Sequence, residues 1–354
     1  MKSRLIIFGM LFSLVLMLAG CSGEEVVEPT SSGSLTSDGM VKVQNMEYTA
    51  ALEDFAAAEE AGEEIRLVKR GQGLAYMGLT QYENAVEAFG ECLALSDGTV
   101  RDIDFDVNYY LATAYLKMGD PAKAEQTYDA ILGLRKNETN AYYLRGVARL
   151  EQDNYIGAKE DFDKVIEEYP KDCSKLIDIV DALNQNGYGE IGKDYLNAML
   201  DNYGTKLSDF DLGRVYYYLG EYSQACRYLE NAKGEGLADA CLYLGKAYEA
   251  TGDYNYAISV YNDYIGRDAN NASVYNQMGL CRMKQADYSG ALEAFQSAMQ
   301  IEDNGMMQIL AFNEIVAYEH LGEFKQACVL MENYIRNYPD DADAQREYEF
   351  LKTR

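Results

Sequence analysis

Tryptophan is absent from this 354-residue chain, histidine occurs once, as His320, and proline four times. A single histidine excludes multi-histidine metal sites and leaves few general bases. The lack of tryptophan counts against a surface built to stack on sugar rings. Positive charge is also scarce: 31 Lys and Arg face 58 Asp and Glu, a net charge of −27. Such a surface repels phosphate backbones and anionic headgroups, so nucleic acid is not an expected partner. Gly-x-Ser-x-Gly, His-Glu-x-x-His and Cys-x-x-Cys are all missing. No cofactor is expected.

What is present is a repeat. An aromatic residue, Ala three places later and a bulky apolar residue four places further recur as Tyr48–Ala51–Phe55, Tyr82–Ala85–Phe89, Tyr155–Ala158–Phe162, Tyr222–Ala225–Leu229, Tyr254–Ala257–Tyr261, Tyr288–Ala291–Phe295 and Phe324–Ala327–Met331. Weaker copies, Pro121–Ala124–Tyr128 and Gly189–Gly192–Leu196, fill the gaps. The small residues lie 34, 39, 34, 34, 33, 32, 34 and 36 positions apart, the period of stacked helical hairpins. Positions i, i+3 and i+7 share one helical face, so the motif is the inner stripe of each hairpin's second helix. A small residue twelve positions upstream (Gly73, Ala112, Gly146, Gly213, Gly245, Gly279) lets the first helix approach. Gly119-Asp120, Gly220-Glu221, Gly252-Asp253 and Gly322-Glu323 fit the turn between the two helices, and Pro170 and Pro339 end second helices.

Leu212-Gly213-x-x-Tyr216 with Gly220-Glu221-Tyr222-x-x-Ala225, and Leu244-Gly245-x-x-Tyr248 with Gly252-Asp253-Tyr254-x-x-Ala257, resemble the tetratricopeptide repeat (TPR) in order and spacing. The resemblance implies an all-α, right-handed superhelical solenoid. About eight TPR repeats would run from Arg66 to Asp341, after a half repeat over Met40–Gly62 and before a capping helix from Ala342. At Tyr188–Met199 glycines replace the aromatic and the alanine, which predicts loose packing or a hinge, and around Ser96–Asp104 five extra residues lengthen one loop.

Near the N-terminus, Lys2 and Arg4 precede the apolar run Leu5–Leu18, which ends in Leu18-Ala19-Gly20-Cys21. The run is shorter than the roughly 20 residues of a comfortable membrane span. It reads as a secretory leader, with an uncleaved anchor as the alternative. Leu-Ala-Gly-Cys looks like the bacterial lipobox, in which the cysteine receives a diacylglycerol. The implied organisation is a signal peptide over 1–20, a lipidated Cys21 with a Ser- and Gly-rich tether over 21–39, and a repeat array over 40–354. Membrane contact would then come from the lipid anchor alone.

Other signals are weaker. Six further cysteines, an even number in an exported chain, invite disulfides. None is closely spaced with another, and Cys226 and Cys328 sit three repeats apart, so they read as small buried hydrophobes. Gly187-x-x-x-x-Gly192-Lys193 imitates a phosphate-binding loop, but Asp194 stands where Ser or Thr is needed. Asp102-x-Asp104-x-Asp106 imitates a calcium loop but lacks its Gly and its closing Glu, so these residues read as helix caps. His320, beside a helix end, reads as solvated.

In TPR arrays the first helices line the concave side, and the resemblance places Arg70, Tyr109, Lys117, Tyr143, Phe210, Arg214, Tyr217, Tyr218, Lys246, Lys284 and Phe312 in that groove. Aromatic and basic side chains together suit a protein or peptide partner. The expectation is therefore a non-enzymatic, lipid-anchored scaffold of the bacterial envelope that serves envelope or surface-complex assembly. A glycan or cell-wall binder using the tyrosines is the alternative.

Overall fold

A computed structural model describes residues 33–302, 304–339 and 341–354. The leader, Cys21 and most of the expected tether lie outside the described residues. Among those described, nineteen α-helices form nine hairpins and a final single helix. They divide into two compact units that meet between Tyr195 and Leu196.

The first unit holds α1 (Leu35–Gln44), α2 (Tyr48–Glu60), α3 (Ile65–Gly78), α4 (Tyr82–Ala94), α5 (Asp102–Lys117), α6 (Pro121–Leu134), α7 (Thr139–Leu150), α8 (Tyr155–Glu168), α9 (Cys173–Gln185) and the start of α10 (Gly189–Tyr203). The second holds the rest of α10, then α11 (Asp209–Leu219), α12 (Tyr222–Gly234), α13 (Ala238–Thr251), α14 (Tyr254–Ile265), α15 (Ala272–Lys284), α16 (Tyr288–Met299), α17 (Met307–His320), α18 (Phe324–Asn337) and α19 (Ala342–Leu351).

Every second helix begins on the first residue of a sequence motif, from Tyr48 through Phe324. The last residue of each motif, from Phe55 to Met331, is no more than 1% exposed. Six of these side chains fill the space left by a glycine on the partner helix. A Cβ on Gly245, for example, would lie 2.3 Å from Cε1 of Tyr261.

The hairpin turn is equally regular. The residue two before each second helix is left-handed in all nine: Gly119, Gly187, Gly220, Gly252 and Gly322, but also Met46, Thr80, Asp153 and Ala286. The next residue's N–H reaches back to close the first helix, as from Glu47 to the Lys42 carbonyl (2.8 Å) and from Asp287 to the Arg282 carbonyl (3.0 Å).

The first hairpin corrects the expected half repeat. α1 starts at Leu35, inside the segment read as tether, and packs on α2 as the other first helices pack on theirs. Gly39 stands twelve positions before Ala51, and a Cβ there would lie 2.7 Å from the Phe55 ring. Glu63 covers the N-terminus of α1, accepting the N–H of Leu35 (2.9 Å) and of Thr36 (3.0 Å) and the Thr36 hydroxyl (2.5 Å). The array thus has nine full repeats among the described residues, not eight and a half. α19 is the expected cap, burying Ala344 and Leu351 against Met331 and Tyr334.

The boundary between the two units falls in α10 of the glycine-rich repeat, whose α9 still buries one face within the first unit. Leu176, Ile179, Val180 and Leu183 of α9 are buried, and Tyr188 stacks on Tyr155 (centroids 5.1 Å) in place of the missing aromatic. Gly187 is a hairpin turn that follows a helix, and Lys193 pairs with Glu190 (2.7 Å). This is repeat geometry rather than a phosphate loop.

The three aspartates of the calcium-like stretch are ion-pair partners. Asp104 pairs with Arg66, Asp106 with Arg70 (2.5 Å) and Asp102 with Arg135 (2.5 Å). Asp104 also accepts the Arg101 N–H (2.8 Å), the expected cap. The six cysteines among the described residues are free thiols, four buried and two, Cys226 and Cys328, half-buried. His320 is exposed and stacks on Tyr288 (centroids 4.6 Å).

Candidate functional site

The expected groove residues fall into three groups. In the first unit they are tied into the packing. Arg70 is paired with Asp106, and Tyr109 lies on Tyr128 (centroids 6.2 Å). Tyr143 lies on Phe162 (6.2 Å) and donates its phenol to the Asp178 carbonyl (3.4 Å). Burial pushes the Tyr143 phenol above the usual tyrosine range. Lys117 is exposed at the end of α5.

In the second unit, Lys284 is exposed on α15, but Phe312 is not a surface residue. It is buried, edge-on to Tyr334 (5.6 Å). It belongs to the same core cluster as Leu310, Met331 and Tyr334.

The remaining five residues converge on α11 and α13. Tyr217 meets Tyr218 (5.4 Å) and Tyr243 (5.9 Å) edge-on, and Phe210 meets Tyr243 the same way (6.0 Å). Two cations lie over these rings, Arg214 over Phe210 (4.6 Å) and Lys246 over Tyr243 (5.5 Å), each a favourable cation–π placement. Arg214 also pairs with Asp211 (2.5 Å). The whole set is half-buried.

Tyr243 completes the cluster and was missed because the groove register steps from Leu242 to Lys246. Its spacing of three from Lys246 and two from Gly245 was the available signal. Nearby, Glu249 accepts the Tyr261 phenol, and burial raises its carboxyl above the usual range while Lys246 opposes that shift. The Cys281 thiol, pushed up by burial, shares the same carboxylate. This Glu249–Tyr261–Cys281 group links α13, α14 and α15 to one another.

The cluster presents edge-on rings with two cations laid over them. Among the described residues no group of three or more His, Cys, Asp or Glu is placed to hold a metal ion. No described helix is long and apolar enough to cross a membrane.

Tetratricopeptide repeat family profiles match residues 76–148, residues 210–272, and residues 140–172 together with 312–341. Among curated proteins, RNA polymerase II-associated protein 3 of Xenopus tropicalis is 26% identical over 214 residues, covering 59% of this chain and 29% of its own. A TPR repeat-containing protein of Methanocaldococcus jannaschii is 22% identical over 260 residues, covering 68% and 44%. The chain thus spans less than half the length of these relatives.

Among solved structures, a tetratricopeptide repeat protein from Parabacteroides merdae aligns with a TM-score of 0.47 at 16% identity, over 79% of this chain and 97% of its own. Yeast Tom70 aligns with a TM-score of 0.48 at 13% identity, over 90% and 87%. Repeats of this class are in general protein-binding scaffolds rather than enzymes, and no catalytic family is matched. With nine hairpins on one plan and family matches in both compact units, this chain is built of tetratricopeptide repeats.

Proposed function

We propose that the chain is a scaffold held on the outer side of a bacterial membrane by a lipid on Cys21, and that it binds protein or peptide partners for envelope or surface-complex assembly. The observation that carries the binding reading is the convergence of Phe210, Tyr217, Tyr218 and Tyr243 with Arg214 and Lys246 on α11 and α13. Rigid aromatic rings give contact area at low entropic cost, and the cations select carboxylates in a partner segment. Support for the anchor is the Leu18-Ala19-Gly20-Cys21 sequence after a short apolar run.

Two measurements test this. Metabolic labelling with a fatty-acid probe should mark the native chain and not Cys21→Ala; labelling of that variant would end the lipid-anchor reading. Pull-down from detergent-solubilised membranes should recover a partner with the native chain and markedly less of it with Lys246→Ala. A parallel glycan-binding assay separates the alternative, because retention on glycans without a protein partner would favour the tyrosines as a sugar surface.

A further inference from the structure

The second unit carries another set of rings besides the patch on α11 and α13. Tyr216 of α11 stacks on Tyr228 of α12 (centroids 5.5 Å, planes 3° apart). One repeat later, Tyr248 of α13 stacks on Tyr256 of α14 (5.3 Å, 25°). Tyr216 and Tyr248 rest against the core of the unit, whereas Tyr228 is half-buried and Tyr256 is 62% exposed. Neither Tyr228 nor Tyr256 belongs to the packing motif of its helix.

The inner ring of the second stack is pinned. The Tyr248 phenol donates to Glu230 of α12 (3.1 Å), and the Tyr248 carbonyl accepts the Asp253 N–H (2.8 Å). Asp253 opens α14 three positions before Tyr256, and its carboxylate makes no capping bond. Glu230 and Asp253 are both exposed. On α12 the two cations flanking Glu230 are engaged, Arg227 over the Tyr228 ring (4.9 Å) and Lys233 with Asp263 (2.5 Å). The one cation of α13, Lys246, lies over Tyr243, and α14 has no lysine or arginine.

Elsewhere the chain lays its own cations on rings of this register. Lys123 stands one position before Ala124, as Tyr256 stands one before Ala257. Its ammonium lies over Tyr115 (5.2 Å), the counterpart of Tyr248 in that hairpin. Arg227 does the same for Tyr228. We infer that Tyr256, with Glu230 and Asp253, is a docking point for an arginine side chain of a partner protein. The guanidinium stacks on the exposed ring while its N–H groups offer hydrogen bonds to the carboxylates. Arginine suits the site better than lysine, because a planar group can stack and donate at once. The net charge of −27 draws basic segments toward the chain, and the exposed ring gives one of them a place to stop. This surface selects the charge opposite to the one that Arg214 and Lys246 select, so the two sites call for different segments.

Fluorescence anisotropy of a labelled oligo-arginine peptide, titrated with the full chain at about 0.15 M salt, tests this. Tyr256→Leu should weaken binding by about fivefold, and Tyr256→Phe, which keeps the ring, should bind like the native chain. Asp253→Asn should also weaken it. An oligo-lysine peptide of equal length should bind less tightly and lose less with Tyr256→Leu. Glu293→Gln, which removes an exposed carboxylate from α16, and Lys246→Ala, in the other patch, should not weaken binding. Tyr256 is exposed, so Tyr256→Leu should keep the native melting temperature. Should it melt lower, the comparison of Asp253→Asn with Glu293→Gln still decides. Native-like binding by Tyr256→Leu, or an equal loss in Asp253→Asn and Glu293→Gln, would reduce the attraction to diffuse charge and overturn the inference. A loss with Lys246→Ala would place the peptide in the patch on α11 and α13 and overturn it as well.

Discussion

Arg66 and Asp104 form a buried ion pair that ties α3 to α5, the first helices of two successive repeats. Arg66 Nε also donates to the Cys92 carbonyl (3.2 Å), and Asp104 receives the Arg101 N–H that opens α5. One turn along, Arg70 and Asp106 repeat the link. The pairs span the place where five extra residues lengthen the inter-repeat loop. Ionic links thus fix the register of α5 where the short-loop constraint of the other repeats is missing.

Asp104→Ala should be costly because it leaves the Arg66 guanidinium buried without a counter-charge. Removing one partner of such a pair costs about 3 kcal/mol or more, whereas replacing both by apolar residues is often close to neutral. The expected outcome is loss of hydrogen-exchange protection over α3–α6 in Asp104→Ala, and substantial recovery in Arg66→Met with Asp104→Leu. Damage should stay local, since repeats couple chiefly to their neighbours. An unchanged exchange pattern in the single variant would show that the pair carries no stability.

Ala286→Gly should stabilise the chain. Ala286 sits at φ 60° in the turn between α15 and α16, where five sister repeats use glycine. A non-glycine residue in this region is strained by about 1 kcal/mol, partly offset by the extra freedom glycine has when unfolded. A net gain of roughly 0.5 kcal/mol is expected in denaturant melts of the second unit. Gly220→Ala, the converse change at φ 80°, should destabilise.

That turn shows how much of the fold the sequence carries. The start of each second helix, the buried end of each motif and the terminal cap follow from side-chain spacing, because one helical face must close against a small residue. α1 escaped notice although Gly39 obeys the twelve-residue offset, because Ser34–Asp38 is polar and its apolar stripe is thin. The patch was only partly legible. Five of its six members follow from the TPR register, but Tyr243 lies one position outside it and joins through its ring contacts with Phe210 and Tyr217. Phe312 occupies the register position but is drawn into the core beside Tyr334, as Asn276 is buried at the same position of α15. Pairings such as Arg66 with Asp104 depend on contacts across 38 positions, which local periodicity cannot report.

Gly245→Ala tests the close approach of α13 and α14. The added methyl would meet the Tyr261 ring at 2.3 Å, and that ring is anchored at its far end by Glu249. Since the phenol cannot swing away without breaking that hydrogen bond, overpacking of roughly 1–3 kcal/mol is expected. A thermal shift of the second unit alone, with the first unit unaffected, is the outcome to look for. No shift would mean that the two helices slide apart without cost.

Binding and stability should separate within the aromatic patch. Phe210 and Tyr217 pack against the core of the second unit, so Tyr217→Ala should lower its melting temperature as well as weaken any partner. Lys246 reaches its position as a half-buried stem over the Tyr243 ring and contributes a charge rather than core volume. Lys246→Ala should therefore keep helical circular dichroism and nearly all of the melting temperature while weakening partner capture by roughly tenfold, and Lys246→Arg should restore it, since a guanidinium also pairs with carboxylates. Raising salt should weaken capture by the native chain, because half-exposed charges are screened. If Lys246→Ala bound as tightly as the native chain and salt had no effect, the cations would be fold elements only, and recognition would rest on ring surfaces alone.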